Sequence, residues 1–246
     1  MIIRFIIIFL FLFNLANWPA KADALVADLS KHVVSITTGF TGTELLLFGS
    51  TDQEGSIIVV VKGPRKEVIT RRKDQIGGIW MNKDSITFEG VPSFYHIAMT
   101  DPELFDLPVT AQLRHEIGSA NIKFEAAPGT QKNIITPFRQ ALIRNKQKAG
   151  LYSVEPSIVQ RRGGQLFRTD VFFPVNVPIG TYIIETLLIH DGEVKSATTT
   201  PLFISKVGLG AKIYRFAHEQ PALYGIVAIL IACLAGLGAN WLFRKS

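Results

Sequence analysis

Apolar residues along this chain fall into three regimes. Phe5 to Phe13 (FIIIFLFLF) is an uncharged run of nine residues near the start. From His32 to Ile204, short apolar runs alternate with polar breaks. Ala222 to Phe243 is again uncharged, now over 22 residues. The first run sits behind Arg4 and is broken by Asn14, Asn17 and Pro19, too early for a bilayer span. It fits the apolar region of a signal peptide, with Ala20-Lys21-Ala22 as the cleavage site, so residues 1–22 are expected to be removed. As a helix the last run reaches about 33 Å, enough to cross a hydrocarbon core of about 30 Å. Arg244 and Lys245 follow it, and basic flanks stay on the cytoplasmic side. The expected topology is single-pass. The body is expected outside the cytoplasm, with 222–243 as the transmembrane helix and 244–246 as a cytoplasmic tail.

Between the two ends the pattern is mostly that of strands. His32–Thr38, Thr43–Phe48, Ser56–Lys62, Val68–Arg72, Gly78–Met81, Ser85–Glu89 and Phe94–Met99 are short β-branched or apolar runs separated by Gly, Asp, Asn and Pro. Such spacing predicts a sandwich or barrel, and no long helices separate the runs as a doubly wound α/β fold requires. From Asp101 the period changes. Pro102–Phe105 and Val109–Ile117 read as short helices. Thr136–Lys148 reads as a longer one, with Thr136 as N-cap, Pro137 at the first helical position and Gly150 beyond the end. Strands resume at Gln165–Phe173, Thr181–Ile189 and Glu193–Ile204, the last two joined by an Asp191-Gly192 hairpin turn. Pro178-Ile179-Gly180-Thr181-Tyr182 is a turn that recurs in immunoglobulin-like sandwiches. The fold class expected is mainly β: immunoglobulin-like β-sandwich material (23–100 and 151–206) with a helical insertion (101–150) and one C-terminal transmembrane helix. Either one sandwich or two small ones would fit. Residues 207–221 form the stem. Val207, Leu209, Ile213, Phe216 and Ala217 can share a helical face, which suits an amphipathic helix on the bilayer, although a plain stem fits as well.

Charge changes meaning once the ends are set aside. The chain carries 26 Lys and Arg against 20 Asp and Glu, a net of +6. Arg4, Lys21, Arg244 and Lys245 all lie in the signal or the tail, which leaves the body with 22 basic and 20 acidic groups. The high pI is therefore mostly a topology signal, and no nucleic acid is expected as a partner. Cys233, the single cysteine, falls inside the apolar run, so no intramolecular disulfide and no thiolate-ligated zinc site can form. The five histidines make no HExxH motif, the serines of the body lack a G-x-S-x-G setting and there is no phosphate-loop signature. Neither a cofactor nor a catalytic site is expected.

Two groups of residues suggest binding. Lys62, Arg65, Lys66, Arg71, Arg72 and Lys73 crowd into a dozen positions. If 56–62 and 66–72 form a hairpin about Gly63-Pro64, several of these cations share one region, where arginine forks suit oxyanions or anionic headgroups. The bland reading is a charged strand edge that guards against aggregation. Trp80, Phe94 and Tyr95 lie in Gly- or Pro-flanked segments, and Trp80-Met81-Asn82 would bring an indole and an amide near Arg71 and Arg72. Such aromatics more often fill cores. The candidate ligand-binding set is Arg65, Arg71, Arg72, Lys73, Trp80, Asn82 and Tyr95. The second group lies in the span, where Ala228, Ala232, Gly236 and Asn240 recur every four residues and line one face. Small residues let another helix approach closely, and an asparagine can hydrogen-bond across.

The segments LSKHVVSITTGFTGTELLLFGS (29–50), VVVKGP (59–64), RRK (71–73) with GIWMN (78–82), VPSFYHIA (91–98), FPVNVPIGTY (173–182) and QPALYGIVAILIACLAGLGANWLFR (220–244), in this order, resemble the uncharacterised alpha-proteobacterial transmembrane protein family. The resemblance runs from about residue 25 to the end. It implies the same layout of signal, exposed domain and one C-terminal span, and assigns no activity or site residues. By association it points to permeases of the sulfite or sulfonate exporter type. The expected function is thus a membrane-anchored periplasmic accessory protein. Its partners would be the lipid bilayer and a multispanning inner-membrane protein such as an anion permease, or a second copy through the span. A periplasmic anion-binding domain and an envelope enzyme of unfamiliar type are the alternatives.

Overall fold

The structure, a computed structural model, describes residues 25–76, 78–102 and 107–243. The signal peptide, most of the helix expected at 102–105 and the cytoplasmic tail lie outside these residues. The chain opens with β1 (Leu25–Leu29), β2 (Val33–Ile36), β3 (Thr43–Thr51) and β4 (Ser56–Lys62). Two long strands follow, β5 (Arg65–Ile76) and β6 (Ile79–Pro92), and then β7 (Tyr95–Met99). Helix α1 (Val109–His115), a short 3-10 turn (Ser119–Asn121), β8 (Glu125–Ala126) and helix α2 (Lys132–Lys148) come next. The strands β9 (Ser157–Ile158), β10 (Gln160–Arg162), β11 (Leu166–Phe173), β12 (Gly180–His190) and β13 (Glu193–Lys206) complete the body. Helices α3 (Leu209–Glu219) and α4 (Pro221–Phe243) end the described chain.

Strands from both halves of the sequence build one sandwich. One sheet has the order β1-β3-β11-β10 and the other β2-β13-β12-β4-β7-β9. Side chains alternate in β11, whose inward Phe167, Val171 and Phe173 meet Tyr182, Ile184 and Leu202 of the facing sheet in one apolar cluster. In β4 five consecutive residues, Ile57 to Val61, are buried. The cause is that the second sheet is covered on both faces: Ile57, Val59 and Val61 face the sandwich, while Ile58 and Val60 face a second cluster with Leu107, Ile117, Phe138 and Leu142. Tyr182 fixes the turn before β12 by donating its hydroxyl to Pro178 O at 2.6 Å, as the tyrosine corner of an immunoglobulin-like sandwich does. Asp191 (φ 52°) and Gly192 (φ 70°) both adopt left-handed backbone, which is what a two-residue hairpin between twisted strands requires.

Two local expectations are corrected. No hairpin forms about Gly63-Pro64. β4 already pairs with β12 on one side and β7 on the other, which leaves it no free edge. Instead the β4–β7 ladder bends and runs on as a ribbon. Gly63 N–H donates to Phe94 O and Ser93 N–H to Pro64 O, both at 2.9 Å, and β5 then pairs with β6 as far as Ile76 opposite Ile79. The three short runs expected between 68 and 89 are parts of these two long strands. The second correction concerns α2, which begins at Lys132, so Thr136 is not its N-cap and Pro137 lies inside it. Ile134 and Ile135 pack on the second cluster, and their burial recruits another turn of helix despite the hydrogen bond that Pro137 cannot donate.

Candidate functional site

The bend where the ribbon leaves the sandwich is held by a partly buried charge network centred on the buried Glu116. Lys62 ends β4, Arg65 opens β5, Glu116 caps α1 and Glu185 is the one acidic residue of β12. Arg65 grips Glu116 with a forked pair of bonds from Nη2 to Oε1 (2.7 Å) and Oε2 (2.9 Å). Lys62 Nζ bridges Glu116 Oε2 (3.0 Å) and Glu185 Oε2 (3.2 Å), and His115 Nδ1 lies 2.6 Å from Glu185 Oε1. The Lys123 amide also donates to Glu116 Oε1, at 2.8 Å. Burial pushes the Glu116 carboxyl up, but the bonds from Arg65, the Lys123 amide and Lys62 outweigh it and hold the group below its ordinary range. Glu116 itself sits at φ 55°, a left-handed conformation that ends α1 and turns its side chain into the network. Beneath it the Tyr95 hydroxyl donates to Glu116 O and accepts from the Gly118 amide, both at 2.8 Å. Burial pushes the Tyr95 phenol up, so it stays protonated.

Beyond this base the ribbon emerges from cover. Arg72 pairs with Asp84 and lies over the Phe138 ring of α2, 5.8 Å from its centroid. Further out, Lys83 Nζ meets Asp74 Oδ2 at 2.8 Å. The register sets Arg71 opposite Ser85, Lys73 opposite Asn82 and Gln75 opposite Trp80, with an irregularity between Arg72 and Lys73. Since alternate residues share a face, Arg71, Lys73, Asn82 and Trp80 lie together on one side of the ribbon while Arg72 and Asp84 take the other. All four are exposed. The candidate set thus splits. Arg71, Lys73, Trp80 and Asn82 form one open face, Arg72 is engaged behind it, and Arg65 and Tyr95 belong to the base network. Phe94 is a core residue stacked 5.1 Å from Phe173.

Sequence reasoning missed His115, Glu116 and Glu185. The one available signal was a glutamate in the middle of one apolar strand, GTYIIETLLIH, and a lysine at the end of another, SIIVVVK.

Among the described residues two hollows bear on the site. One, of about 570 Å³, lies beside the network between Glu89, Leu113, Ile122 and Arg139. Both of its cations are already engaged: Arg139 donates to Phe124 O (3.0 Å) and Ile122 O and stacks 4.0 Å over the Phe124 ring, and Lys123 Nζ donates to Arg114 O at 3.2 Å. The other, of about 230 Å³, lies under the Asp191-Gly192 turn. Among the described residues no group of three or more His, Cys, Asp or Glu side chains is placed to hold a metal ion.

At the other end, α3 leads into α4 through a break at Gln220, with Phe216 and Tyr224 packed edge to face at 6.0 Å. The apolar stretch Pro221–Asn240 is long enough to cross a membrane and is buried against nothing. Ala228, Ala232, Gly236 and Asn240 are all exposed on it.

Fold and site together define a mainly β protein, a sandwich with a projecting charged ribbon, that carries one C-terminal helix fit to be a membrane anchor. The family described as "Putative transmembrane protein (Alph_Pro_TM)" matches residues 24–245, and the chain belongs to it. Comparison with curated proteins finds no match.

Proposed function

We propose that this chain is a non-enzymatic accessory protein of the bacterial inner membrane. It holds its β-rich body on the periplasmic surface, beside a multispanning membrane protein to which its single helix binds. An anion permease of the sulfite or sulfonate type is the partner class proposed. The observation that carries this reading is the uncovered face of α4. Ala228, Ala232 and Gly236 offer a smooth track for a second helix, and Asn240 offers a polar group that gains from an interhelical hydrogen bond in lipid. The ion pairs of the body also support it. Lys62, Arg65, Glu116 and Glu185 are spent on one another and on the bend, which suits a rigid mount for the ribbon.

The test is cross-linking in native membranes, gentle solubilisation and identification of what co-purifies with the full chain. A multispanning protein in constant ratio is expected, lost on Gly236→Leu. Recovery of the polypeptide alone, or only with copies of itself, contradicts the reading.

A further inference from the structure

We infer that the far end of the β5–β6 ribbon is a second membrane contact, in which Trp80, with Ile79 and Met81, enters the interface of an anionic bilayer while Arg71 and Lys73 meet lipid phosphates. This rests on α4 being the anchor and is independent of any partner protein.

The first observation is exposure. Ile79 and Trp80 are each 67% exposed and Met81 52%, three consecutive large apolar side chains at the tip of a two-stranded ribbon. A soluble surface scatters such residues singly and does not gather them on a protruding tip. Tryptophan prefers the headgroup level of a bilayer, where its ring is half apolar and its N–H finds a partner.

Charge is the second. Asp84 takes Arg72 and Asp74 takes Lys83, so both acids of the outer ribbon are engaged. Arg71 and Lys73 make no ion pair among the described residues and point to the face that carries Trp80. Cations set behind an aromatic tip are the arrangement that an anionic headgroup layer complements.

Position is the third. Gly180 pairs with Ile204, and Pro64 at the bend lies against Gly180, where an added Cβ would come within 2.7 Å of its ring. The ribbon therefore leaves the sandwich level with Ile204, at the end of the sheet from which β13 passes through Lys206 into the stem. Twelve residues of β5 extend about 40 Å at about 3.3 Å each. The tip's contact is weak alone, but the anchor keeps it beside the surface, so docking is an intramolecular event at high effective concentration.

Two other occupants fit less well. A free anion would find two exposed cations and no walls, and such contacts count for little in water. A protein partner would need roughly 1,200 Å² of total burial, whereas three side chains offer a few hundred at most.

The experiment uses the full chain with Cys233→Ala and a single new cysteine carrying an environment-sensitive fluorophore. The label is placed either at the tip (Met81→Cys) or at the opposite end of the sheet (Lys195→Cys). Each protein is reconstituted in phosphatidylcholine vesicles with or without about one-third phosphatidylglycerol, an anionic fraction chosen to raise the surface potential. Lipids spin-labelled near the headgroup act as quenchers. In anionic vesicles the tip label should be quenched several-fold more than the label at 195. That excess should fall at least two-fold in neutral vesicles and on Arg71→Gln with Lys73→Gln. Equal quenching at 81 and 195 in anionic vesicles overturns the inference. So does a tip label that is shielded in native membranes but not in pure lipid, which would mean a protein partner. A tip response to inorganic phosphate or sulfite in neutral vesicles, with no lipid quenching, would mean a free-anion site and overturns it equally. Resistance of the labelled body to protease confirms that each variant is folded. Failure here leaves the co-purification test untouched.

Discussion

Glu116 shows how one residue can set the geometry of a much larger element. It is 4% exposed, ends α1 in left-handed backbone and accepts bonds from Arg65, Lys62 and the Lys123 amide. Removing its charge leaves two cations and an amide facing a neutral group. Breaking a fully buried ion pair costs about 3–5 kcal/mol, and here the partly exposed Arg65 lowers this to about 2–3 kcal/mol. Glu116→Gln should therefore lower the melting temperature of the body in detergent by several degrees, whereas Glu89→Gln, on the exposed side of β6, should leave it unchanged. His96 governs a different pH range. Burial pushes its imidazole down to about 4, and its Nε2 has no hydrogen-bond partner among the described residues. The unfolded chain takes up a proton near 6.5 and the folded chain does not until about 4, so stability falls as pH drops through that window. The full effect is about 3–4 kcal/mol at most, from about 1.4 kcal/mol per unit. Melting temperature measured from pH 7 to 4 should decline, and His96→Gln should flatten the decline. Below the ordinary carboxylate value of 4.5, protonation of Glu116 adds a second loss, because its folded value is depressed and the network's contribution exists only above it.

Among the elements, those with strong local signals were legible in the sequence. The β4 run, the Asp191-Gly192 turn, the tyrosine turn before β12 and the apolar α4 helix each carry their pattern within one continuous stretch of chain. The ribbon was legible only in pieces, as the runs Val68–Arg72, Gly78–Met81 and Ser85–Glu89, and its base was not. Lys73-Asp74-Gln75 has no apolar alternation because both faces of the outer ribbon meet water, so periodicity does not join those runs into two long strands. The network joins positions 62, 65, 115, 116 and 185, and no local pattern links residues so far apart in the sequence. The start of α2 was hidden for a related reason, since partial burial of Ile134 and Ile135 carries the helix back past the start that Thr136 and Pro137 suggest. The bend itself depends on close packing: Gly180 sits at φ 141° with no room for a Cβ beside Pro64. Gly180→Ala should cost about 1–3 kcal/mol through strain and crowding. Limited proteolysis should then cut the ribbon sooner than the sandwich. Cleavage of both at the same rate would show that the bend is not what fixes the ribbon.

At the scale of the whole molecule, the parts share one axis of organisation. One sandwich is built from strands on both sides of the helical segment, the ribbon leaves it near the exit of β13, and α3 and α4 continue from that exit. The body would be held at a bilayer by its last helix and steadied there by the ribbon tip, with the small-residue face of α4 free to meet another helix. Everything in this account turns on α4 crossing the membrane with the body on one side and the C-terminus on the other. Paired reporter fusions after Ser246 measure that directly. A fluorescent protein that matures only in the cytoplasm should glow there, and an alkaline phosphatase that works only after export should be inactive. Active phosphatase at that position, or full chain recovered in the soluble fraction after an alkaline wash, would contradict it.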